Sequence, residues 1–268
     1  MLKPLQFDKV IVDTDYKVAI DSPDHIAPCG TAKDNSINLR FNRKIYRLYG
    51  TEGVGLRVLD LGCSGGGFVK SLLDGGALAV GIEGSDFSLK YSRANWPFLG
   101  NKMLFTADIT KPFQISLEKV FAKEPIKFHV ITMWEVLEHL KETDLQFCLQ
   151  NVRNHLLENG LFIVSVSPDE CPYDGIALHQ TIKNGDWWLE VFKNSGFIRR
   201  KDIEGFLNGQ YIRGPKQFAK SSLNFVFCIN SVISPKTPRH SVKEKILDRW
   251  FYSRPHLILS KLFSPAGA

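Results

Sequence analysis

Apolar runs alternate with amphipathic stretches along most of this 268-residue chain. Short runs rich in β-branched and aliphatic residues predict strands, and apolar residues at intervals of three and four predict helices. Strands that alternate with helices favour a mostly parallel sheet covered by helices on both faces, which is an α/β fold. The predicted strands are 56–61, 78–83, 103–107, 127–133, 161–166, 197–203 and 223–230, and the predicted helices are 66–74, 86–95, 115–122, 143–157 and 187–194.

The chain on either side of this alternating region has a different pattern. Residues 21–36 are rich in Pro, Gly, Asp and Asn and predict an irregular segment, whereas residues 38–49 are amphipathic at helical spacing. That helix either packs on the edge of the sheet or forms a lid over a ligand. The chain is therefore interpreted as an N-terminal segment over 1–50, a central domain over 51–231 and a tail over 232–268.

The tail carries most of the net charge. The whole chain has a formal charge of +6, and the residues from Ser231 onward include seven Lys/Arg against two Asp/Glu. The rest of the chain is close to neutral, so nucleic acid is not an expected partner. Pro235, Pro238 and Pro255 exclude one continuous helix in the tail, but 241–251 predicts a short helix and 257–263 is apolar. The tail either packs onto the domain or makes a peripheral membrane contact.

Composition is that of a globular protein, with 44% hydrophobic and 23% charged residues. No apolar run approaches the ~20 residues that span a bilayer, and Pro4 interrupts the N-terminal stretch, unlike a secretory signal. The five cysteines are scattered and form no CxxC pair, which argues against a disulfide framework and a structural zinc site. These features predict a cytoplasmic protein, and they leave its oligomeric state open.

The stretch 58–68, VLDLGCSGGGF, predicts a strand, a glycine-rich turn and the start of a helix. Such a unit lets a nucleotide-like ligand approach the backbone at the carboxyl edge of a parallel sheet. Asp60 ends the first strand and Glu83 ends the second, where an acid can accept hydrogen bonds from ribose hydroxyls. These features fit NAD, through a GxGxxG match with Ser64 at the second glycine, and they also fit another adenosine-based cofactor.

Three further features separate these alternatives. Asp60 directly precedes the glycine loop, where it can orient the loop and reach a cationic ligand through water. Asp108 ends the third strand, where it can bind an adenine amine. Trp134 and Glu135 follow at the end of the fourth strand, where the reactive end of a cofactor would lie.

With these motifs in this order, the chain resembles the class I S-adenosylmethionine-dependent methyltransferases, most closely the group that includes the ubiquinone and menaquinone biosynthesis type. The resemblance covers roughly residues 55–170. Ser64 stands where the family usually has glycine, and His129 stands where an aspartate is common. The resemblance rests on five segments: VLDLGCSGGGF (58–68), GIEGSDFSLKYSR (81–93), ADI (107–109), FHVITMWEVLEHL (128–140) and LLENGLFIVSVSP (156–168).

The resemblance implies a Rossmann-like, doubly wound α/β domain with a seven-stranded, mostly parallel sheet over residues 51–231. It also implies S-adenosyl-L-methionine as the cofactor, with Glu83 at the ribose and Asp108 at the adenine. Cys63 is interpreted as a small space-filling residue of the loop. The cofactor-binding residues implied by the resemblance are Asp60, Gly62, Cys63, Ser64, Gly66, Glu83, Gly84, Asp108, Ile109 and Trp134.

Methyl transfer from a sulfonium mainly requires positioning, because the cofactor is already activated, although an oxygen acceptor can also need a base. His179 lies in a segment expected to cross the carboxyl edge of the sheet, which makes it the first candidate for a catalytic base. Its alternative role is a loop histidine bonded to the backbone. Glu135 is the second candidate, while Glu138 is expected to start the next helix and His139 to be structural.

A bound divalent metal ion is the least favoured of the features considered for this site. His25, Asp169 and Glu170 could join His179 around such an ion. No HxH or HxxxH spacing supports that arrangement, so no metal is expected.

The expected function is O-methylation of a small-molecule or sugar (glycan) hydroxyl by S-adenosylmethionine. The segment DHIAPCGTAKDNS (24–36) and the pattern of His179, Gln180 and Trp187 resemble methyltransferases of carbohydrate and natural-product pathways. The alternatives are an NAD-dependent oxidoreductase, a methyltransferase acting on a membrane-linked or protein acceptor, and a binding module that has lost activity.

Overall fold

The computed structural model describes residues 9–28, 37–119, 122–212 and 221–250. Within these ranges the strands are β1 (Lys9–Asp13), β2 (Arg57–Leu61), β3 (Leu78–Glu83), β4 (Leu104–Thr106), β5 (Gln114–Glu118), β6 (Lys123–Pro125), β7 (Phe128–Trp134), β8 (Leu156–Val166), β9 (Pro172–Tyr173), β10 (Ile176–Ala177), β11 (Ile198–Arg199) and β12 (Leu223–Cys228). The helices are α1 (Pro23–Ile26), α2 (Leu39–Leu48), α3 (Gly67–Asp74), α4 (Phe87–Lys90), α5 (Trp96–Leu99), α6 (Glu142–His155), α7 (Gly185–Asn194), α8 (Lys201–Leu207) and α9 (Val242–Trp250).

A central seven-stranded sheet has the order β11-β12-β8-β7-β2-β3-β4. The strands from β8 to β4 in this order run parallel, whereas β12 pairs antiparallel with β8 and β11 pairs antiparallel with β12. The predicted α/β fold with a seven-stranded, mostly parallel sheet is therefore confirmed. Chain order reverses between β2 and β7, and the carboxyl ends of these strands frame a crevice of the kind that binds ligands in doubly wound sheets.

Apolar residues on both faces of the sheet are buried beneath helices. Leu59 and Leu61 of β2 share one core cluster with Leu149 of α6 and Trp188 of α7. The other face contributes Val58 to a second cluster, which includes apolar residues of α2, α3 and α8. Because these strands bury both faces, most of their residues are apolar, and this is why the sequence pattern identified them.

The segment predicted as a helix over 115–122 forms strand β5 instead. It pairs antiparallel with β1 and β6 in a separate three-stranded sheet. Ile115 lies opposite Val12 of β1 and is fully buried. A short apolar segment is compatible with either a helix or a strand, so pairing with a distant part of the chain decides its structure. Strand β1 itself was not predicted from the sequence.

Two other predicted elements are shorter than expected. The strand predicted over 197–203 ends with β11, and α8 follows directly because Ile203 and Leu207 bury their side chains one helical turn apart. The helix predicted over 86–95 is reduced to α4. Ser92 has a φ of 51°, a left-handed conformation that a right-handed helix cannot contain.

Helix α2, predicted over 38–49, belongs to the core. The side chain of Asn38 accepts hydrogen bonds from the backbone N–H groups of Arg40 and Phe41, which caps the helix at its start. Phe41 and Ile45 are fully buried. Packing against the sheet, the first of the two roles expected for this helix, is therefore what the structure shows. Residues 29–36 of the predicted irregular segment lie outside the described residues.

The described part of the tail packs on α2. The helix predicted over 241–251 forms α9, and its Asp248 pairs with Lys44 at 2.7 Å and with Arg40. The apolar stretch 257–263 lies outside the described residues. Within the described ranges, no helix combines the length and the apolar character needed to cross a membrane.

Candidate functional site

A cavity of about 830 Å³ lies at the carboxyl ends of the central strands. Its wall is formed by the β2–α3 loop, the ends of β3 and β7, the turn after β4, the segment containing α1 and the loop before α7. Cavities of this size hold ligands as large as a nucleotide cofactor. The crevice framed by β2 and β7 is therefore also the place where the fold leaves room for a ligand.

The glycine-rich loop needs glycine at two of its positions. Gly62 has a φ of 79°, and a side chain there would collide with Val136 at the end of β7. Gly66 has a φ of 80°, and a side chain there would collide with a leucine of β4. Both positions combine a left-handed backbone with a close approach of neighbouring groups. Ser64 adopts a φ of 48° without being glycine, and the indole Nε1 of Trp96 donates a hydrogen bond to its carbonyl at 2.7 Å.

Glu83 at the end of β3 presents a carboxylate to the cavity. Its Oε2 accepts a hydrogen bond from the backbone N–H of Ser64 at 2.7 Å, and its Oε1 accepts one from Ser85 at 3.4 Å. Burial raises the pKa of Glu83 to about 7, against the opposing effect of these backbone bonds. A carboxylate held by its own loop keeps further lone pairs for the hydroxyls of a bound ribose.

Asp60 lies beneath the loop and not at the cavity wall. Its Oδ1 accepts a hydrogen bond from the hydroxyl of Thr132 at 2.6 Å, while its Oδ2 is buried and has no hydrogen-bond partner among the described residues. Burial raises the pKa of Asp60 to about 8, and the neighbouring charge of Glu83 adds to the effect. A positively charged ligand above the loop would favour the ionised form of both acids.

Asp108 and Trp134 line the cavity at the ends of two other strands. Asp108 Oδ1 accepts hydrogen bonds from the N–H and the hydroxyl of Thr110, at 2.9 and 2.6 Å, which fixes its carboxylate. The backbone N–H of Asp108 donates to Tyr16, which ties the N-terminal segment to this part of the wall. Trp134 packs edge-on against Phe41 of α2, with ring centroids 5.3 Å apart. An acid and a flat indole at these strand ends suit an adenosine-type ligand.

Glu135 and His179 both reach the cavity wall. Glu135 has a φ of 56°, and its backbone N–H donates to the carbonyl of Ser165 at 3.1 Å, so the backbone turns sharply as β7 ends. Its side-chain Oε1 is buried, and no described residue forms a hydrogen bond with it. His179 Nδ1 lies 2.5 Å from the carbonyl oxygen of Asp169. Burial lowers the pKa of His179 below its usual value of 6.5.

Sequence reasoning missed the pair formed by Asp24 and His139. The carboxylate of Asp24, in α1, lies 2.8 Å from Nδ1 of His139, and both residues line the cavity. Burial by itself would lower the pKa of His139, but the bond and charge of Asp24 raise it above 6.5. His139, predicted to be structural, thus belongs to the wall of the site. The position of His139, five residues after β7, could have indicated that it lines the cavity, whereas nothing in the sequence indicated this for Asp24.

Glu138 lies behind these residues and is fully buried. Its Oε1 accepts the backbone N–H of Ser167 at 2.8 Å. Glu138 lies in a single 3-10 turn, Leu137–His139, and not at the start of α6, which begins at Glu142. Burial and the charge of Glu135 raise its pKa to about 8. Among the described residues, Glu138, His139 and His179 form a group whose ligand atoms lie within 4.8 Å of one another and could hold a divalent cation. His25, Asp169 and Glu170 contribute no ligand atom to this group.

Three of the ten residues assigned to cofactor binding lie behind the wall. Cys63 is fully buried in the core cluster of the α2 face, and burial raises the pKa of its thiol well above the usual value. Its side chain therefore supports the loop from behind and does not face the cavity. Gly66 directly precedes α3 as its N-cap residue, and Asp60 lies beneath the loop. The seven that line the cavity are Gly62, Ser64, Glu83, Gly84, Asp108, Ile109 and Trp134.

The donor set at this end of the cavity fits S-adenosylmethionine. Glycine positions permit close approach, Glu83 faces the cavity where a ribose would lie, and the orphaned Oδ2 of Asp60 is suited to a nearby positive charge. The sulfonium cofactor brings that charge, whereas the pyrophosphate of NAD is anionic and would gain nothing from the carboxyl group of Asp60.

Comparison with known proteins agrees with this chemistry. A family model described as a methyltransferase domain matches residues 35–208. The ubiquinone biosynthesis O-methyltransferase of Bordetella pertussis is 34% identical over 88 residues, which are 33% of this chain and 34% of that protein. The same enzyme of Nitrosospira multiformis is 31% identical over 108 residues, 40% of each chain. This chain thus spans well under half the length of either relative.

A solved structure with a similar fold is the TehB-like SAM-dependent methyltransferase of Corynebacterium glutamicum. It is 18% identical, covers 70% of this chain and 86% of its own, and superposes with a TM-score of 0.46. The family model carries the assignment, because it spans well over half of the chain and includes the glycine loop, Glu83 and Asp108. The chain therefore belongs to the methyltransferase domain family, within the class I S-adenosylmethionine-dependent methyltransferases.

Proposed function

We propose that this chain transfers the methyl group of S-adenosylmethionine to a hydroxyl of a small molecule or sugar, with His179 as the proton acceptor. One cavity joins a cofactor end, marked by Glu83 and Asp108, to an acceptor end, marked by Glu135 and His179. That juxtaposition is the observation on which the proposal rests. The bound cofactor supplies an activated methyl group, so the chain's own residues orient the acceptor and take its proton.

His179 has the arrangement of a base. Its Nδ1 lies next to the carbonyl of Asp169, to which a ring nitrogen can only donate, so the proton of the neutral ring resides on Nδ1 and Nε2 carries the lone pair. The hydroxyl proton passes to Nε2 as the acceptor oxygen takes the methyl group. Glu135, whose Oε1 has no hydrogen-bond partner in the described structure, can orient that hydroxyl by accepting a hydrogen bond.

The charge of the cavity wall supports an uncharged acceptor. The residues that line it include six Asp/Glu and two Lys. A surplus of acids repels phosphorylated or carboxylated acceptors and leaves neutral polyols and phenols favoured. The name O-methyltransferase carried by the relatives also supports an oxygen acceptor, although it describes proteins that this chain matches over only part of their length.

A direct test uses the purified protein, S-adenosylmethionine carrying a labelled methyl group, and a panel of neutral sugars and small phenols. We expect a labelled methyl ether, identified by mass spectrometry and stable to mild base. A panel of amines and phosphorylated sugars of matched size serves as the control. Label on nitrogen, or a preference for the phosphorylated sugars, would contradict the proposal.

A chelation experiment separates the base from a metal. Deprotonation by His179 requires no cation, so treatment with EDTA followed by removal of the chelator should leave the methylation rate unchanged. Loss of the rate, with recovery on adding Zn²⁺ or Mg²⁺, would instead make Glu138, His139 and His179 a metal site and would remove His179 as the base.

A further inference from the structure

Helix α9 presents an apolar stripe to solvent. Val242, Ile246 and Trp250 follow one another at intervals of four residues and are 74%, 62% and 44% exposed. At 100° per residue this spacing places the three side chains on one side of the helix. Val232, in the segment that leads to the helix, is 86% exposed. Exposed apolar side chains that are grouped in this way mark an interaction surface more often than isolated ones do.

Basic residues flank this stripe on both sides. At the same helical spacing, Lys245 and Arg249 lie along one edge of the stripe and Lys243 lies along the other. All three are exposed. We call the face formed by the apolar stripe and these three cations the tail face. The sequence that follows Trp250 adds Arg254 and Lys261 and contains no Asp or Glu, so the positive character continues along the chain.

The two acids of α9 point the other way. Asp248 is buried against the body, where it pairs with Lys44 at 2.7 Å, with His240 at 2.9 Å and with Arg40. Glu244 pairs with Arg47 of α2. The negative charges of the helix are therefore neutralised on its inner side, and its outer side carries cations. This segregation of charge exceeds what docking of the tail onto the domain requires.

The tail face is held firmly close to the active-site cavity. The side-chain amide of Gln210 donates to the backbone carbonyl of Asp248 at 3.0 Å, and Ile212, two residues further on, lines the cavity. On the other side of the ion pairs, α2 places Phe41 against Trp134, also at the cavity wall. A surface engaged by α9 would thus lie next to the elements that form the site.

We infer that the tail face docks this enzyme on an anionic membrane surface. An apolar stripe that includes a tryptophan and has cations on both edges matches a phospholipid interface, where apolar side chains enter the acyl boundary and cations contact the head groups. The charge selects the partner, because the cations on both edges of the stripe complement a continuous sheet of negative head groups. This binding is separate from methyl transfer and places the cavity close to the membrane.

The test is co-sedimentation of the full chain with vesicles of phosphatidylglycerol and phosphatidylcholine, compared with vesicles of phosphatidylcholine alone. We expect binding to the anionic vesicles that weakens at high salt. Each positive charge lost near an anionic membrane should weaken binding about fivefold. The double variant Lys243→Glu, Lys245→Glu should therefore lower the vesicle affinity by more than about tenfold. Ile246→Ser should also weaken it, and because this side chain is exposed the fold should be retained.

Matched controls are Lys102→Glu and Val54→Ser, which change exposed residues elsewhere on the surface and should leave vesicle binding unchanged. Binding of S-adenosylhomocysteine confirms that each variant is folded. Absence of binding to anionic vesicles, or equal losses in the control variants, would overturn the inference. A dimer that Ile246→Ser converts to a monomer would also overturn it, because a second copy of the chain would then be the occupant of the tail face.

Discussion

The imidazole of His139 meets that of His179 edge-on, with ring centroids 4.7 Å apart. The two rings have different partners, since the carboxylate of Asp24 lies against His139 and a backbone carbonyl lies against His179. Burial would lower the pKa of His139, but the bond and charge of Asp24 raise it above 6.5. Burial lowers the pKa of His179, and the charge of His139 adds to this effect against the opposing bond to Asp169. The lowered pKa of His179 favours its neutral form, which is the form that can accept a proton.

Replacing His179 by Asn should slow turnover without loosening the cofactor. Removal of a general base typically costs on the order of 10²–10⁴ in rate, and we expect a fall of at least about a hundredfold in kcat. The Kd for S-adenosylhomocysteine, measured by calorimetry, should stay within about twofold because His179 lies at the acceptor end. A wild-type kcat in this variant would eliminate His179 as the base.

The pH profile provides a second check on the same residue. A base acts in its neutral form, and the pKa of His179 lies below 6.5 because the ring is partly buried. Activity should therefore rise through an acid limb below pH 6.5 and be level between about pH 7 and 8. The residual activity of His179→Asn, followed over the same range, should lack this limb. A limb retained in that variant would assign the titration to another group.

Much of the fold could be predicted, because buried strands are rich in apolar residues and can be recognised in the sequence. Strands β2, β3, β7 and β8 are covered on both faces, so they are mostly apolar and stand out between amphipathic helices. The strand β5 could not be predicted, since Ile115 becomes part of a strand only by lying opposite Val12 of β1. Local pattern carries no information about a partner so far away in the chain.

The same division applies to the site. Glu83, Asp108 and residues of the glycine loop lie at strand ends, and the order of the motifs was enough to predict that they line one cavity. The acceptor end depends on α1 crossing over the sheet edge to bring Asp24 against His139. The sequence contains no periodicity or motif that specifies this contact. His139 was therefore predicted to have a structural role and not to line the site.

Glu83 should control the affinity for the cofactor. Glu83→Gln removes a charged acceptor, and hydrogen bonds to charged groups contribute about 1.5–3 kcal/mol. We therefore expect the Kd for S-adenosylhomocysteine to rise roughly 10- to 100-fold. Asp74→Asn, which changes an exposed acid on α3, is the matched control and should have no effect.

Cofactor affinity should also depend on pH through Glu83. Burial raises its pKa to about 7, so the carboxylate that accepts ribose hydroxyls predominates above that pH. The Kd measured by calorimetry should rise as pH falls from 7 to 5, and in Glu83→Gln this dependence should be weaker. An equal pH dependence in the two proteins would show that Glu83 does not bind the ribose.

Asp248 should be essential for the stability of the domain although it belongs to the tail. Asp248→Asn leaves Lys44 buried without its ion-pair partner, and breaking a buried pair from one side costs about 3–5 kcal/mol. Both side chains are largely buried, at 5% exposure for Lys44 and 9% for Asp248. We expect a loss of about 3 kcal/mol in the free energy of unfolding, measured by urea denaturation. The exposed pair of Lys70 and Asp74, removed by Asp74→Asn, should cost less than about 1 kcal/mol.

The double variant Lys44→Met, Asp248→Asn tests the cause of this loss. Because it removes the stranded charge together with its partner, it should recover part of the stability that Asp248→Asn loses. The pH dependence has a defined sign: burial alone would raise the pKa of Asp248, but the bonds from Lys44 and Arg40 bring it below 3.8. This contribution is present above pH 3.8 and disappears as the pH falls through the lowered pKa. Wild type should therefore lose stability in acid more steeply than Asp248→Asn, and parallel curves would mean that the carboxylate of Asp248 does not hold the tail in place.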